Sequence, residues 1–586
     1  MAAYDMAGAS LLSRFHSRLS RVAGLAAGAF GSRSSQLAAL AAWTLALWTI
    51  LSTLAAVFTT HCDLLYSDEW DTWMTWLKQG YSLGWFFSEH NDHRIVAARV
   101  LFAIGNWAFH ARTWFPQSMS FAVQTWLALL LWRLAKRSGV TDPQDSRVLG
   151  AAIACCLFSA AQFFNFIWGF QTQFFLVYAA GAAALWALLR AAEAAHPGGR
   201  RAWMAACLLL ATVCSYSIAN GVLIWPILLL AAVRLRMGRA GIALLAAAAV
   251  LVLGQYMHGW HASALDAPAP AWRVALFAMA NAGGPLVPLL SWLGAGTAGT
   301  GVLAAAAGGT LLAGTALQGL LVWTRRSRYS GGRIVLAHFT VFVAAACFAI
   351  AAGRAHLPLV AAFRSRYMTP PCILWVCLLS IAWGSLRTLG PRRLRWAVVA
   401  ALLLGIAWHQ ASAFRGAREY GAALGQASTA LAVGVNDPSL LPILTYSYAD
   451  LAPVVAYLKE HRLAAFSEEW TRWPGQRLAA RFRVDPHASA CRGAFQEVAP
   501  VSDPSRPGWR VSGWARDASG GGPRRIVLAD SDGGISGVAL GVSGQWSGYA
   551  RPGSPAITAY AVEPDGKSLC SLGTRLLPPR QDLPAN

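Results

Sequence analysis

The run QLAALAAWTLALWTILSTLAAVFT at residues 36–59, followed closely by Ser67-Asp68-Glu69-Trp70-Asp71, decides the fold. A helix of about 20 apolar residues crosses the ~30 Å hydrocarbon core of a bilayer, and residues 36–59 meet that length. Three carboxylates at the mouth of such a helix are costly unless they face water or one another. A second polar cluster, His90-Asn91-Asp92-His93-Arg94, follows in the same loop. We read this loop, residues 59–116, as the centre of an active site.

The rest of the chain has the composition of a membrane protein. Of 586 residues, 56% are hydrophobic and only 13% charged, with mean hydropathy +0.44; a soluble protein carries about 25% charged residues. The formal net charge of +22 could suggest nucleic acid. The Lys and Arg instead punctuate the apolar runs, as in cytoplasmic loops, so the partner expected is a lipid bilayer and not nucleic acid. No Gly-x-x-x-x-Gly-Lys loop and no nucleophile elbow is found, which disfavours an ATP-driven pump and a serine hydrolase.

Loop charge then orders the spans. Residues 1–35, Arg-bearing and Ser/Gly-rich, read as a cytoplasmic tail. Residues 36–59, 121–134, 148–166, 172–189, 203–217, 221–233, 242–257, 302–322, 334–352, 370–386 and 396–411 read as crossings. That makes about eleven, up to thirteen, with the amino terminus inside and the carboxy terminus outside. Two apolar stretches break this bookkeeping if they cross. Residues 95–109, interrupted by Arg99 and Asn106, read as a helix at the membrane surface. Residues 271–296, broken by Asn281-Ala282-Gly283-Gly284-Pro285 and Pro288, read as re-entrant or peripheral.

The domains expected are thus the tail, a transmembrane catalytic domain at 36–413, a periplasmic helical linker at 414–490, and a small periplasmic β-sandwich-like domain at 491–586. In the last, residues 509–515, 525–529, 535–542 and 557–562 have strand periodicity, and Asp532-Gly533-Gly534 and Asp565-Gly566 are turn signals. Eight of the ten cysteines lie in or beside apolar segments; the other two, Cys491 and Cys570, bracket the β-region and suggest a disulfide. Disulfides persist in oxidising compartments, which agrees with a periplasmic location.

With this topology four polar motifs share the outer face. They are Asp68-Glu69-Trp70-Asp71 with His90–Arg94; Asn165 to Gln173, with Trp168 and Gln171; Ser215 to Gly221, with Asn220; and Gly353-Arg354-Ala355-His356 with Arg364-Ser365-Arg366-Tyr367. A carboxylate is suited to accept the proton of a sugar hydroxyl or to orient it. Arg94, Arg354, Arg364 and Arg366, with Tyr367, suit a phosphate leaving group, since guanidinium recognises phosphate bidentately. Snorkelling to lipid headgroups competes with this for Arg364 and Arg366. His90, Asn91, His93, Trp168, Gln171, Gln173 and Asn220 are candidates for sugar contacts, with helix capping and the interfacial aromatic belt as the plain alternatives. His90 and His93 with Asp68 form a weak candidate metal set. Trp509, Trp514, Trp546 and Tyr549 offer stacking surfaces or, more simply, a β-domain core.

An acidic motif just after the first span, followed by many spans and a soluble carboxy-terminal region, resembles the GT-C superfamily of integral-membrane glycosyltransferases. The stretches at 90–94, 168–171 and 353–367 are similar to bacterial members of that group. The resemblance covers roughly residues 36–413. It implies a polyprenyl-phosphate-linked sugar donor, a periplasmic glycan or lipid acceptor, and inversion at the anomeric carbon, in the bacterial inner membrane. Asp68 matches the family base first, then Glu69, with Asp71 in support. Some members use a divalent metal and others do not, so metal use stays open. The rival from another class is a translocase for lipid-linked sugars, which predicts internal repeats or mid-membrane ionisable residues. A glycan polymerase or ligase would instead rely on Arg and His in a large external loop.

Overall fold

The computed structural model describes residues 34–59, 61–260, 269–325, 329–389, 392–484, 491–501, 503, 505–516, 521–542 and 544–578. The expected tail at 1–35 falls almost wholly outside them. Contacts group the chain into two compact units. The first takes Met1–Thr59, Phe86–Leu101 and Pro116–Arg415, and the second Thr60–Trp85, Phe102–Phe115 and Gly416–Asn586. The boundary at Arg415 and Gly416 falls beside the expected division at 413, while the first loop is shared between the two units. The acidic motif of the first loop groups with the carboxy-terminal region, and the His90–Arg94 cluster with the membrane helices.

Among the described residues seven helices are long and apolar enough to cross a membrane: Gln36–Thr59, Pro143–Ile167, Gly169–Glu193, Arg239–Met257, Ala271–Trp292, Thr297–Thr324 and Gly331–Arg354. The chain is therefore a multi-pass membrane protein, but the expected eleven crossings are not reproduced. The runs at 121–134, 203–217 and 396–411 are helical, within Trp114–Arg137, Pro197–Ser215 and Arg392–Val433, yet do not stand among the seven. Residues 271–296, expected as re-entrant or peripheral, are helical in large part. Gly284–Leu286 only tightens into a 3-10 turn, and the prolines sit in first turns, where their missing N–H leaves no bond unmade. The whole of Ala271–Trp292 thus qualifies as a span. The surface helix expected at 95–109 is Val96–Ala108, and 13 residues of helix, ~20 Å, fall short of the hydrocarbon core.

In the first unit, Ser34–Thr59 packs on Pro143–Leu157, Thr172–Glu193 on Pro197–Ser215, and Ala271–Gly283 on Thr297–Thr324. Glycine permits the last approach: a Cβ on Gly283 would collide with the Ala304 carbonyl. Buried Gln410 is paired across helices, which answers the cost of an unmade hydrogen bond in a membrane interior. Gln410 accepts from Ala160 N (3.0 Å) and donates to Thr49 O (3.2 Å) and to Thr53 Oγ1.

The second unit holds one continuous eight-stranded sheet, in order β1-β8-β7-β4-β5-β6-β3-β2, antiparallel except for β1 with β8. The strands are β1 Arg483–Val484, β2 Arg492–Val501, β3 Gly508–Arg516, β4 Arg525–Asp530, β5 Ile535–Val542, β6 Gln545–Ala550, β7 Ala556–Val562 and β8 Ser568–Leu576. The expected sandwich is therefore a single sheet. Its far strand β2 returns against β8, and the Cys491–Cys570 disulfide closes that return, with Cα atoms 6.3 Å apart. The two predicted turns join β4 to β5 and β7 to β8, with Gly533 at φ 73° and Gly566 at φ 69°, where only glycine is unstrained.

Alternation along the strands sends side chains to two cores. Trp509, Val511, Trp546 and Leu572 fill the inner one. Val527, Val538, Tyr549 and Leu569 face helical residues such as Leu431, Leu451, Val454 and Phe466. Residues 414–490 are thus no linker but half of the second unit's core. Tyr549 donates to buried Asp437 (2.7 Å), and Arg551 Nε to Val433 O (2.8 Å), fixing the end of the Arg392–Val433 helix on the sheet. Trp509, Trp546 and Tyr549 are buried; Trp514 is half-buried.

Candidate active site

The acidic motif opens the helix Asp68–Gln79 in the second unit. Trp70 and Trp73, with Leu77, lie on one helical face and pack into the core of Leu451, Val454 and Leu458. This fixes where the carboxylates go. Acids in a first turn are favoured by the helix dipole, which is reason enough for some of them to be there. Ser67 enters with φ 48° and caps nothing with its side chain. Glu69 does the capping: its Oε2 accepts the Tyr66 N–H (2.9 Å), and only 7% of the residue is exposed. Asp68 and Asp71 are half-buried and three residues apart, so they share a helix face. Ser67 Oγ donates to Asp68 Oδ1 (3.2 Å). The Tyr446 phenol is pushed up by burial first, then by the charges of Asp71, Asp68 and Asp450.

The same loop carries a network that sequence reasoning missed. Asp63, buried, lies 3.0 Å from His61 Nε2 and accepts the Thr113 N–H at 2.9 Å. Arg112 is 4.0 Å from Asp63 and 3.4 Å from Glu468, and Glu468 pairs with Arg525 at 3.0 Å. Burial pushes the Asp63 carboxyl up, but His61, Thr113 and Arg112 together hold it below the usual range. The loop is thereby tied to the carboxy-terminal part of its own unit. Glu468 and Arg525 are remote in sequence, so no local pattern could have announced the network.

The basic cluster lies in the first unit. His90 and His93 exchange backbone hydrogen bonds (2.8 and 3.0 Å) around Asn91 at φ 52°. Arg94, expected to hold phosphate, is engaged with backbone carbonyls. It is 7% exposed and donates to Phe87 O, to Tyr256 O (2.7 Å) and to His258 O (2.6 Å), with Glu89 at 3.6 Å. Each guanidinium nitrogen thus donates to a backbone carbonyl, and Arg94 staples the turn to a helix end. His93 differs. Burial pushes its imidazole down, Asp92 works the other way, and Arg354 adds to the lowering. Its Nδ1 is shut from solvent and meets no partner among the described residues.

Arg354 ends the helix Gly331–Arg354, donating Nε to Tyr367 Oη (3.1 Å) and Nη1 to Gly353 O (3.0 Å). Arg366 lies over the Tyr367 ring, 5.0 Å from its centroid. Asn165 holds this loop by donating to Arg366 O (3.2 Å) and Thr369 Oγ1 (2.9 Å), and Ser365 Oγ accepts from Phe164 N (3.0 Å). Arg364 is exposed. The His90 ring meets Phe170 at 5.0 Å, which stacks on Trp168 at 5.5 Å. Gln171 and Gln173 are each 2% exposed, and their Oε1 atoms meet no donor among the described residues. Asn220 donates to Tyr178 Oη (3.0 Å), while its neighbour Tyr216 accepts the Ala97 N–H (3.1 Å) on its carbonyl. Within the first unit, then, direct contacts join the 165–173 stretch to His90 and to the 364–367 loop.

For a metal, the weak candidates Asp68, His90 and His93 form no cluster. Among the described residues the one group of three metal-binding types is Cys491, Glu563 and Cys570, and its cysteines are oxidised to a disulfide.

No family model matches the chain, and no curated protein does. Among solved structures, the chain is similar to ArnT from Cupriavidus metallidurans in the apo state, at 14% identity and TM-score 0.41, over 81% of this chain and 98% of that one. It is similar to the oligosaccharyltransferase AglB of Archaeoglobus fulgidus in complex with an inhibitory peptide and a dolichol-phosphate, at 12% identity and TM-score 0.37, over 68% and 58%. The Archaeoglobus fulgidus oligosaccharyltransferase complex with Zn and sulfate matches at 14% and 0.36, over 65% and 53%. The roles of this chain's residues rest on their own geometry.

Proposed function

We propose that this chain is an inner-membrane glycosyltransferase that moves a sugar from a polyprenyl-phosphate carrier to a periplasmic glycan or lipid acceptor with inversion. The observation that carries the reading is the division of labour in the acidic turn. Glu69 caps the helix, while Asp68 and Asp71 stay half-exposed on one face of its first turn. A half-exposed carboxylate can reach an acceptor hydroxyl, as a base requires.

In the transfer, the acceptor oxygen attacks the anomeric carbon as the bond from that carbon to the phosphate oxygen breaks. The hydroxyl proton passes to Asp68, and the electron pair leaves on the polyprenyl phosphate. Asp71 orients the acceptor or supports the charge on Asp68. Arg354 and Arg366 offset the negative charge on the departing phosphate, with Arg364 as an outer contact for the carrier. His93, Trp168, Gln171 and Gln173 are assigned to the sugar: the amide oxygens are buried acceptors that meet no donor among the described residues, and sugar hydroxyls are donors. A periplasmic second unit is supported by the disulfide.

The test is transfer of labelled sugar from polyprenyl-phosphate donors in membranes, wild type against Asp68→Asn at matched protein levels. Transfer by the wild type and its loss in the variant is the expected result. Equal transfer by both removes Asp68 from catalysis. No transfer by the wild type, with labelled lipid reaching the opposite leaflet, replaces the reading with a translocase.

A further inference from the structure

We infer that Tyr367 is a positioning residue: its hydroxyl and its ring together set Arg354 and Arg366 as a preformed clamp for the phosphate of the lipid-linked donor. The inference rests on the reading above and deepens it, because it assigns the aim of the two cations to a side chain that touches no phosphate.

Tyr367 is 5% exposed, so its phenol is fixed by its surroundings. Its backbone is fixed as well: Asn281 Nδ2 donates to Tyr367 O (3.3 Å) and to Ala362 O (3.0 Å). On the opposite flank Asn165 and Phe164 hold residues 365 and 366, as described above. From this platform the hydroxyl accepts from Arg354 Nε at 3.1 Å. With Nη1 on Gly353 O, one edge of that guanidinium is tied, and Nη2 meets no acceptor among the described residues. The ring face carries Arg366, whose Nε is shut from solvent and meets no acceptor among the described residues. One aromatic side chain therefore holds one cation by its hydroxyl and another by its π face.

The physical consequence is preorganisation. Long basic side chains lose rotamer freedom when they grip an anion, and a group that restrains them beforehand lowers that cost. Arg364, two residues before Arg366, is exposed and meets Tyr367 only through its backbone carbonyl, which accepts the Tyr367 N–H (2.9 Å), so its guanidinium serves as an internal control.

The experiment uses the full chain in lipid nanodiscs, with wild type, Tyr367→Phe and Tyr367→Leu. Arginine-selective dicarbonyl labelling is followed by mass spectrometry at Arg354 and Arg364, and KM and kcat are measured with a polyprenyl-phosphate sugar. Tyr367→Phe should raise Arg354 labelling several-fold and leave Arg364 unchanged. The donor KM should rise about tenfold with kcat little altered, the effect of one hydrogen bond to a charged group. Tyr367→Leu should add roughly a threefold loss through Arg366, so that the Phe variant is a partial rescue of the Leu variant. Unchanged Arg354 labelling in both variants overturns the inference. So does a rise in labelling without a rise in KM, and so does a fall in melting temperature and kcat with KM unchanged. If the wild type transfers nothing from this donor, the donor reading fails, while the labelling still decides whether Tyr367 positions Arg354.

Discussion

The two charged turns of the first loop, one in each unit, follow the same division of labour with opposite charges. At Asp68–Asp71 one carboxylate, Glu69, is folded onto backbone while its two neighbours stay half-exposed. At His90–Arg94 the single guanidinium is buried on carbonyl oxygens while His93 keeps an unpaired ring nitrogen. In both, the residue with the strongest individual hydrogen bonds builds the turn, and chemistry is left to its neighbours. Charge alone therefore does not mark function; what each charge already touches does.

The largest effect that tests this comparison is expected at Asp68. Asp68→Asn should lower transfer by about 10²- to 10⁴-fold, the range of a lost general base, at unchanged melting temperature. If Asp71→Asn takes the larger loss instead, the base is Asp71 and the comparison stands with the roles exchanged. Arg94→Ala should act on stability, by about 3 kcal/mol, since buried carbonyls lose their charged donor. A thermal shift in detergent reads this, and an Arg94→Ala protein that melts like the wild type but fails to bind donor would return Arg94 to the phosphate.

Arg354→Lys should do the reverse, raising donor KM about tenfold with melting unchanged, because an ammonium cannot reproduce the guanidinium's planar set of donors. Glu69→Gln keeps an acceptor for the Tyr66 N–H and should cost about 1 kcal/mol of stability and little transfer. A loss of transfer as large as that of Asp68→Asn would break the division proposed for this turn.

Asp63 gives the smallest effect and a sign. Its carboxyl in the folded protein lies below the ordinary 3.8. Its contribution is therefore complete at pH values above the unfolded value and is lost as pH falls through the folded one. The melting temperature should be insensitive to Asp63 from pH 5 to 8 and should drop on acidification below about pH 4. Asp63→Asn should flatten that drop; an identical acid profile in the variant would show that other carboxylates govern it.

How much was legible in advance follows from the range of each interaction. The helix at 36–59, the turns at Asp532-Gly533-Gly534 and Asp565-Gly566, four of the eight strands and the Cys491–Cys570 pairing were readable, because period, glycine and cysteine position are local or countable signals. The acidic motif was readable as a site but not in its internal roles. Nothing in Asp68-Glu69-Trp70-Asp71 says that the middle carboxylate turns back onto Tyr66 N, since that depends on the dihedrals of Ser67. At residues 271–296, Gly284-Pro285 looked like a break in the helix and is a single tightened turn.

The sequence by itself determined that the chain lives in a membrane, that its polar motifs are few and clustered, and that a β-region stapled by one disulfide closes it. Hydropathy and periodicity are sums over neighbours, and neighbours are what a sequence displays. Only the tertiary structure decided that residues 60–85 group with the carboxy-terminal unit, that Arg94 belongs to Tyr256 and His258, that Glu468 braces Arg112, and that Tyr367 stands under two arginines. Most of these joins link residues far apart in the chain, and all of them depend on side-chain direction, which packing sets and composition does not.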